Sequence, residues 1–130
     1  MRLAETRRAE LIASRQSFIA ETVFSHPSKL ALIREAKAAG YLVNVIFVNV
    51  RSTNLAVSRV RQRFARGGHD VPEAKVRERH GRTLENVRQA LALADRMLVY
   101  DNSALGRPHE HVLSFSAGRL VRIAAQVPQW

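Results

Sequence analysis

Apolar and polar residues recur with helical and strand periods along this chain, and the order of the two periods predicts its fold. The predicted elements, in chain order, are a helix over 3–15, a strand over 17–23, a helix over 27–39, a strand over 41–50, helices over 53–66 and 73–94, a strand over 96–100, and a hairpin formed by 111–116 and 119–125. Helices that alternate with strands are typical of an α/β domain with a mostly parallel sheet. The sequence therefore predicts one such domain.

The segment Tyr41–Val50 is the most apolar part of the chain and predicts a strand buried on both faces of the sheet. It has half the length that a membrane-spanning helix needs, so we expect no membrane partner. Ligands of α/β sheets bind beyond the carboxyl ends of the strands. The polar groups predicted there are Glu21-Thr22, Asn49–Arg51 and Asp101-Asn102-Ser103.

Local signals set the limits of the helix over 53–66. Ser52 or Thr53 can cap its start, and Gly67-Gly68 can end it. The helical period places Val57, Val60 and Phe64 on its inner face.

Composition restricts the function. The 130 residues include no cysteine, which excludes disulfides, thiolate metal sites and a cysteine nucleophile. The net charge is +10, and residues 51–96 hold most of that excess, nearly all of it as arginine. Such a domain is expected inside the cell, in the cytoplasm, with an anionic partner such as nucleotide phosphates or nucleic acid. A solvated helical surface that keeps the protein soluble remains an alternative.

The arginines of the basic segment fall on two helical faces. One face holds Arg59, Arg63 and Arg66, and the other holds Arg79, Arg82 and Asn86. Two such faces, joined by the glycine turn, could enclose a polyphosphate, whereas Glu78 and Glu85 would partly neutralise a merely solvated surface. Glu21 is either a general base or a surface carboxylate. His109 and His111 lack a third ligand, so no metal site is expected.

Several segments, taken together, resemble the zeta toxin family over about residues 5–125. The matching runs are Ser17–Thr22, Ile33–Tyr41, Arg59-Val60-Arg61 with Arg63, Gly67–Pro72, and Tyr100–Ser103. The resemblance implies a P-loop kinase-like three-layer fold. It also implies ATP and Mg²⁺ as cofactors and phosphoryl transfer to a nucleotide sugar such as UDP-N-acetylglucosamine. An antitoxin partner fits the same family.

The resemblance also implies roles for individual residues. Glu21 and Thr22 would contact the sugar nucleotide, and the helix pair over about 53–94 would act as a lid. The arginines over the transferring phosphate would be Arg63, Arg79 and Arg82. The residues nearer the nucleotide would be Arg59, Arg66, Asp101 and Asn102.

The sequence departs from the family pattern in one respect. It contains no G-x-x-x-x-G-K-[ST] loop, and it is similar to the family only from the helix before the second strand onward. We therefore expect a partial domain that lacks the first strand, the phosphate loop and the catalytic aspartate, and that is inactive alone. The missing strand would lie between 41–50 and 96–100, so we expect exposed edges and pairing with the missing segment, a paralogue or another copy. A non-enzymatic basic module is the alternative.

Overall fold

A computed structural model describes residues 2–129, which form helices and strands in the order expected for an α/β domain. The helices are α1 (Arg2–Ala13), α2 (Ser28–Ala38), α3 (Thr53–Ala65) and α4 (Glu73–Leu91). The strands are β1 (Asn44–Asn49), β2 (Arg96–Asp101), β3 (Glu110–Ser116) and β4 (Arg119–Ile123). The predicted α/β class, all four predicted helices over most of their length, and the hairpin are confirmed.

The four strands form one mixed sheet in the order β1-β2-β3-β4. β1 and β2 are parallel and pair without a gap, from Asn44 opposite Arg96 to Asn49 opposite Asp101. The two later strands are antiparallel to their neighbours, so the prediction of a mostly parallel sheet is wrong for this structure: two of the three strand pairings in this sheet are antiparallel. The expectation that a missing strand leaves the facing edges of 41–50 and 96–100 exposed is therefore wrong for this structure, because the two strands satisfy each other's backbone hydrogen bonds directly.

The hydrophobic core lies on one face of the sheet, which α2 and α4 cover. Met97 and Val99 of β2 are almost fully buried there. They belong to one cluster with residues from both helices and from β3, namely Leu30, Ile33, Val87, Ala90 and Val112. The sheet and its helices thus form two layers over the described residues, so the expectation of a three-layer fold is wrong for this structure.

The prediction that 41–50 is buried on both faces is wrong. Burial alternates along β1, and Ile46 and Val48 remain 67% and 44% exposed. β1 is an edge strand and the helices pack on only one face, so every second side chain of β1 faces away from the core.

Two further predictions are wrong. Residues 17–23 form no strand, and Ile19 in that segment is 97% exposed, because no neighbouring strand lies beside it to accept its hydrogen bonds. Phe64 is also exposed, and only Val57 of the predicted inner face of α3 is fully buried. α3 packs against α4 mainly through its first turns.

The predicted ends of α3 and the predicted hairpin turn are confirmed. The Ser52 side chain accepts a hydrogen bond from the Leu55 N–H at 3.2 Å. Gly67 ends α3 with φ +89, a left-handed conformation that suits glycine. Ala117 and Gly118 both have positive φ, as a type I′ hairpin turn requires.

Asp95 joins α2, β1 and β2 through its carboxylate. One oxygen accepts from Lys37 Nζ at 2.6 Å, and the other accepts from the Val43 N–H at 2.7 Å. The hydrogen bond from Lys37, followed by the one from Val43, lowers the pKa of Asp95 below its usual value. A lowered pKa means that the carboxylate stabilises the fold above its unfolded pKa, and that this stabilisation is lost as the pH falls below about 4.

We therefore expect Asp95→Asn to lower the midpoint of urea unfolding at neutral pH. The variant should also lose part of the stability difference between neutral pH and about pH 3. Glu10→Gln, which removes an exposed ion pair with Arg7, is the matched control and should change neither value. Equal effects of the two substitutions would contradict this role for Asp95.

Candidate functional site

The carboxyl ends of the parallel strands β1 and β2 meet at one edge of the sheet. Asn49 ends β1 and Asp101 ends β2, and these two residues lie directly opposite each other. The Asn102 N–H donates to the Asn49 carbonyl at 2.8 Å, which fixes the turn after β2 against β1. This edge is the position where sheets with parallel strands bind ligands.

Ser103 connects the end of β2 to the start and the middle of α3. Its hydroxyl donates to Asp101 Oδ1 at 2.5 Å and accepts from the Arg51 N–H at 2.7 Å. Its carbonyl accepts from Arg59 Nη2 at 3.3 Å. The guanidinium of Arg59 is thereby held over the carboxyl ends of the strands.

A second chain of hydrogen bonds runs through His80 of α4. Its Nε2 lies 3.3 Å from Asn49 Oδ1, and its Nδ1 lies 3.1 Å from Thr53 Oγ1. Because Asn49 Oδ1 can only accept, Nε2 carries the proton and the Thr53 hydroxyl donates to Nδ1. Burial lowers the pKa of His80, which favours this neutral form.

Two buried donors in these chains have no partner among residues 2–129. They are Nδ2 of Asn49 and Nε of Arg59. Asn49 itself is only 5% exposed. Buried N–H groups are normally paired, so two of them at one sheet edge indicate a place where an acceptor atom would be stabilised. Anionic oxygen atoms are the acceptors that guanidinium groups bind most strongly.

A cleft of about 480 Å³ opens between the start of α3 and the middle of α4. Its lining residues are Arg51, Ser52, Thr53, Arg77, His80, Gly81, Leu84 and Gln129. The start of α3 borders this cleft together with Arg51 and with Arg77, which is ion-paired with Glu73. The positive end of a helix and an arginine without a carboxylate partner are groups that attract an anion.

The structure separates the two predicted arginine faces along an antiparallel helix pair. Arg61 of α3 contacts Glu73, and Thr53 contacts His80, so α3 and α4 run in opposite directions. Arg79 and Arg82 consequently lie beside the start of α3. Arg63 and Arg66 lie at its far end, next to Gly67 and Gly68. Asn86 is buried in the core and is not part of an exposed face.

The arginines also differ in their freedom to bind a ligand. Arg63 and Arg66 are exposed and make no ion pair among the described residues, whereas Arg82 pairs with Glu78 at 3.1 Å. Arg59 and Arg79 are half-buried. An arginine without a carboxylate partner keeps its donors available for phosphate.

Glu21 and Thr22 are exposed residues of the segment between α1 and α2. This segment is tied to α4, because the Val23 carbonyl accepts from Thr83 and the Phe24 carbonyl accepts from Asn86 at 2.9 Å. The structure therefore brings Glu21 and Thr22 near the part of α4 that carries Arg82. Their role in binding a substrate stays a prediction.

The donor set fits phosphate better than a metal ion. No group of three His, Cys, Asp or Glu side chains that could hold a metal comes together within residues 2–129. The side chains that do converge are guanidinium, imidazole, amide and hydroxyl groups, which bind phosphate oxygens.

The family model described as zeta toxin matches residues 1–107. The chain belongs to the zeta toxin family. Membership indicates a kinase-like phosphotransferase that binds nucleotides, and it suggests a toxin–antitoxin setting. Among curated proteins and solved structures, none matches the chain. The matched range contains the polar edge, by which we mean the residues at the carboxyl ends of β1 and β2 from Asn49 to Arg51 and from Asp101 to Ser103. It also contains α3 and α4, which carry the arginines, whereas β3 and β4 lie outside it.

Sequence reasoning identified only part of this candidate site. It placed Asn49, Asp101, Asn102 and Ser103 at strand ends, and the structure brings them together. Sequence reasoning gave His80 no functional role, because the helical period places either His80 or Leu84 in the apolar stripe of α4 with Val76, Val87 and Leu91. The signal that could have identified His80 is a polar residue on the otherwise apolar side of a helix, at the level where that side packs against the end of a strand.

No helix within residues 2–129 is both long enough and apolar enough to cross a membrane.

We expect the stability of the chain to fall as the pH is lowered below about 6.5, because His80 then binds a proton more readily in the unfolded chain than in the fold. Its pKa is lowered in the fold, so the unfolded chain takes up the proton first and unfolding is favoured. His80→Gln should reduce this pH dependence, measured as the denaturation midpoint at about pH 7.5 and about pH 5.5. His69→Gln, in an exposed loop, should leave the dependence intact, and a change there equal to that of His80→Gln would contradict the assignment.

Proposed function

We propose that this chain acts in ATP-dependent phosphoryl transfer to a nucleotide sugar such as UDP-N-acetylglucosamine, and that it supplies the substrate wall and the arginines of that reaction. The family match supports the reaction class. The polar edge supports the place, because two unpartnered buried donors, on Asn49 and Arg59, lie there beside an arginine-bearing helix pair. That pair of donors is the observation on which the proposal chiefly rests.

The arginines would act by electrostatic stabilisation. Phosphoryl transfer spreads negative charge over the oxygens of the transferred group, and arginine side chains lower the barrier by binding those oxygens. We assign this role to Arg79 and Arg82, which lie beside the start of α3, while Arg63, at the far end of α3, would bind another part of the polyphosphate. Arg59 and Arg66 would bind the remaining phosphates, with Asp101 and Asn102 closing the site near the nucleotide.

Glu21 and Thr22 would hold the sugar nucleotide. The hydrogen bonds from Thr83 and Asn86 to the following residues, Val23 and Phe24, hold this segment against α4, and this contact supports the proposal. Bound ATP with Mg²⁺ would supply the phosphoryl group. The 130 residues contain no G-x-x-x-x-G-K-[ST] loop, so we propose that they bind ligand but transfer no phosphate by themselves.

Calorimetry and a transfer assay on the purified chain test the two parts separately. We expect UDP-N-acetylglucosamine or ATP to bind, and we expect no magnesium-dependent phosphate transfer between them. Binding should weaken in Arg63→Ser and remain unchanged in Arg34→Ser, an exposed arginine of α2. Failure of both ligands to bind would overturn the site, and clear transfer would overturn the proposed inactivity.

A further inference from the structure

The sheet has a second face that no helix covers. The helices α2 and α4 pack on the face that holds Met97 and Val99. Side chains of alternate residues therefore lie on the opposite face, which we call the open face. Tyr100 and His111 belong to it, because they lie opposite each other and their rings stack with centroids 4.9 Å apart.

The open face carries positive charge. Arg122 lies on it, since its Nη1 contacts His111 Nδ1 at 3.1 Å. Arg96 lies four residues before Tyr100 in β2 and therefore on the same, open face. Arg119 lies on that face too, because Arg96 and Arg119 both pair with Ser116. All three arginines are exposed. The acidic pair Asp101 and Glu110 lies one register position beyond Tyr100 and His111, and thus on the opposite face.

The rings on this face are held in place before any ligand arrives. His111 Nδ1 contacts Arg122, and His111 Nε2 lies 3.1 Å from the Leu113 carbonyl and 2.8 Å from Ser114 Oγ. With both nitrogens engaged, the imidazole cannot rotate freely, and the Tyr100 ring is stacked against it. A fixed ring loses little entropy when a planar group stacks on it.

Beside the rings, the face is apolar. Val48 lies opposite Tyr100, and Ile46 lies opposite Leu98 in the next register position. Both β1 side chains are exposed, at 44% and 67%. The open face therefore combines an apolar and aromatic surface over β1 and β2 with exposed arginines at its β2 and β4 sides.

We propose that the open face binds single-stranded nucleic acid. Bases would stack on Tyr100, His111 and the apolar surface, while the phosphates would bind Arg96, Arg119 and Arg122. A four-stranded sheet accommodates about two or three stacked bases in this way. The net charge of +10 adds attraction for any polyanion. This activity is independent of the site at the carboxyl ends of β1 and β2, which lies at an edge of the sheet.

Fluorescence anisotropy with labelled oligothymidylate and oligouridylate of about 12 nucleotides tests the proposal. We expect both single strands to bind the full chain and a duplex of equal length to bind more weakly, because its bases are not free to stack. The affinity should fall as salt is raised. A preference for one single strand would identify DNA or RNA as the ligand.

Two substitutions separate the open face from general charge. Arg119→Ser combined with Arg122→Ser should weaken binding at least about tenfold and reduce the slope of log affinity against log salt by about two. The matched control, Arg7→Ser with Arg34→Ser, removes the same charge from exposed residues of α1 and α2 and should have a much smaller effect. Tyr100→Leu should weaken single-strand binding by roughly tenfold with little change of salt slope.

Three results would overturn the proposal. They are the absence of single-strand binding at low salt, equal losses in the face variant and the control, and a duplex that binds as tightly as the single strands. Size-exclusion chromatography adds a fourth, because a dimer that dissociates on Ile46→Lys would show that the face is covered by a second copy. Circular dichroism of each variant confirms that the fold is retained.

Discussion

Replacing Met97 with alanine is expected to lower the free energy of unfolding by about 3 kcal/mol. Met97 is 1% exposed and lies at the centre of the cluster formed by β2, α2 and α4. Truncation removes buried apolar contacts and leaves a cavity that the sheet cannot close without moving a helix. Urea unfolding, followed by circular dichroism, measures the loss.

The control for this substitution is Ile46→Ala on the neighbouring strand. Ile46 is 67% exposed, so its truncation should change the unfolding free energy by less than about 0.5 kcal/mol. A large loss for Ile46→Ala in the isolated chain would mean that the outer face of the sheet is buried in solution. A small loss for Met97→Ala would contradict the position of the core.

The second large effect is expected from Arg59→Ala on ligand binding. Arg59 donates to the Ser103 carbonyl and has a buried Nε without a partner in the described part of the chain. A hydrogen bond to a charged ligand contributes about 1.5 to 3 kcal/mol, so the dissociation constant for the nucleotide ligand should rise about tenfold or more. Isothermal titration calorimetry gives this constant directly.

Arg59→Lys is the informative companion, because it keeps the charge and removes the planar fork. We expect it to recover only part of the lost affinity. Arg107→Ala, in an exposed loop, should bind the ligand like the unchanged chain. If the Arg59→Lys variant binds the ligand as tightly as the unchanged chain does, the site recognises only the positive charge, and Nε of Arg59 takes no part in binding.

The sequence predicted those elements whose limits are set locally. Ser52 can cap a helix only at its start, and Gly67 readily adopts the left-handed conformation that ends one, so α3 could be bounded to within a residue. The turn at Ala117-Gly118 was predictable for a similar reason. In each case the decisive hydrogen bonds lie within a few residues of the signal.

Properties that depend on distant neighbours could not be predicted. Ser17–Val23 has a strand-like composition, yet no strand lies beside it, and its backbone continues into hydrogen bonds from α4. The density of apolar residues in β1 suggested burial on both faces. Composition does not tell which side of a strand a helix will cover.

Part of the site was also predictable, because the positions of strand ends follow from the sequence. Polar residues at strand ends converge in any sheet with parallel strands, which located Asn49 and Asp101 before their pairing was known. The contact between His80 and Asn49 joins residues 31 positions apart. This contact depends on the rotation of α4 about its own axis relative to β1. The apolar period of a helix determines that rotation only to within about one residue position.

The edge position of β1 has a consequence for how the protein behaves in concentrated solution. Its sequence, Asn-Val-Ile-Phe-Val-Asn, has no charge and no proline, and one row of its backbone groups faces outward from the sheet. Such a segment can recruit the same strand of another molecule and start fibrillar association. Mutual repulsion between copies of net charge +10 opposes this step, over a distance of only about 8 Å at physiological salt. A bound polyanion would cancel that repulsion, so the ligands that the chain attracts are also the agents that would bring its edges together.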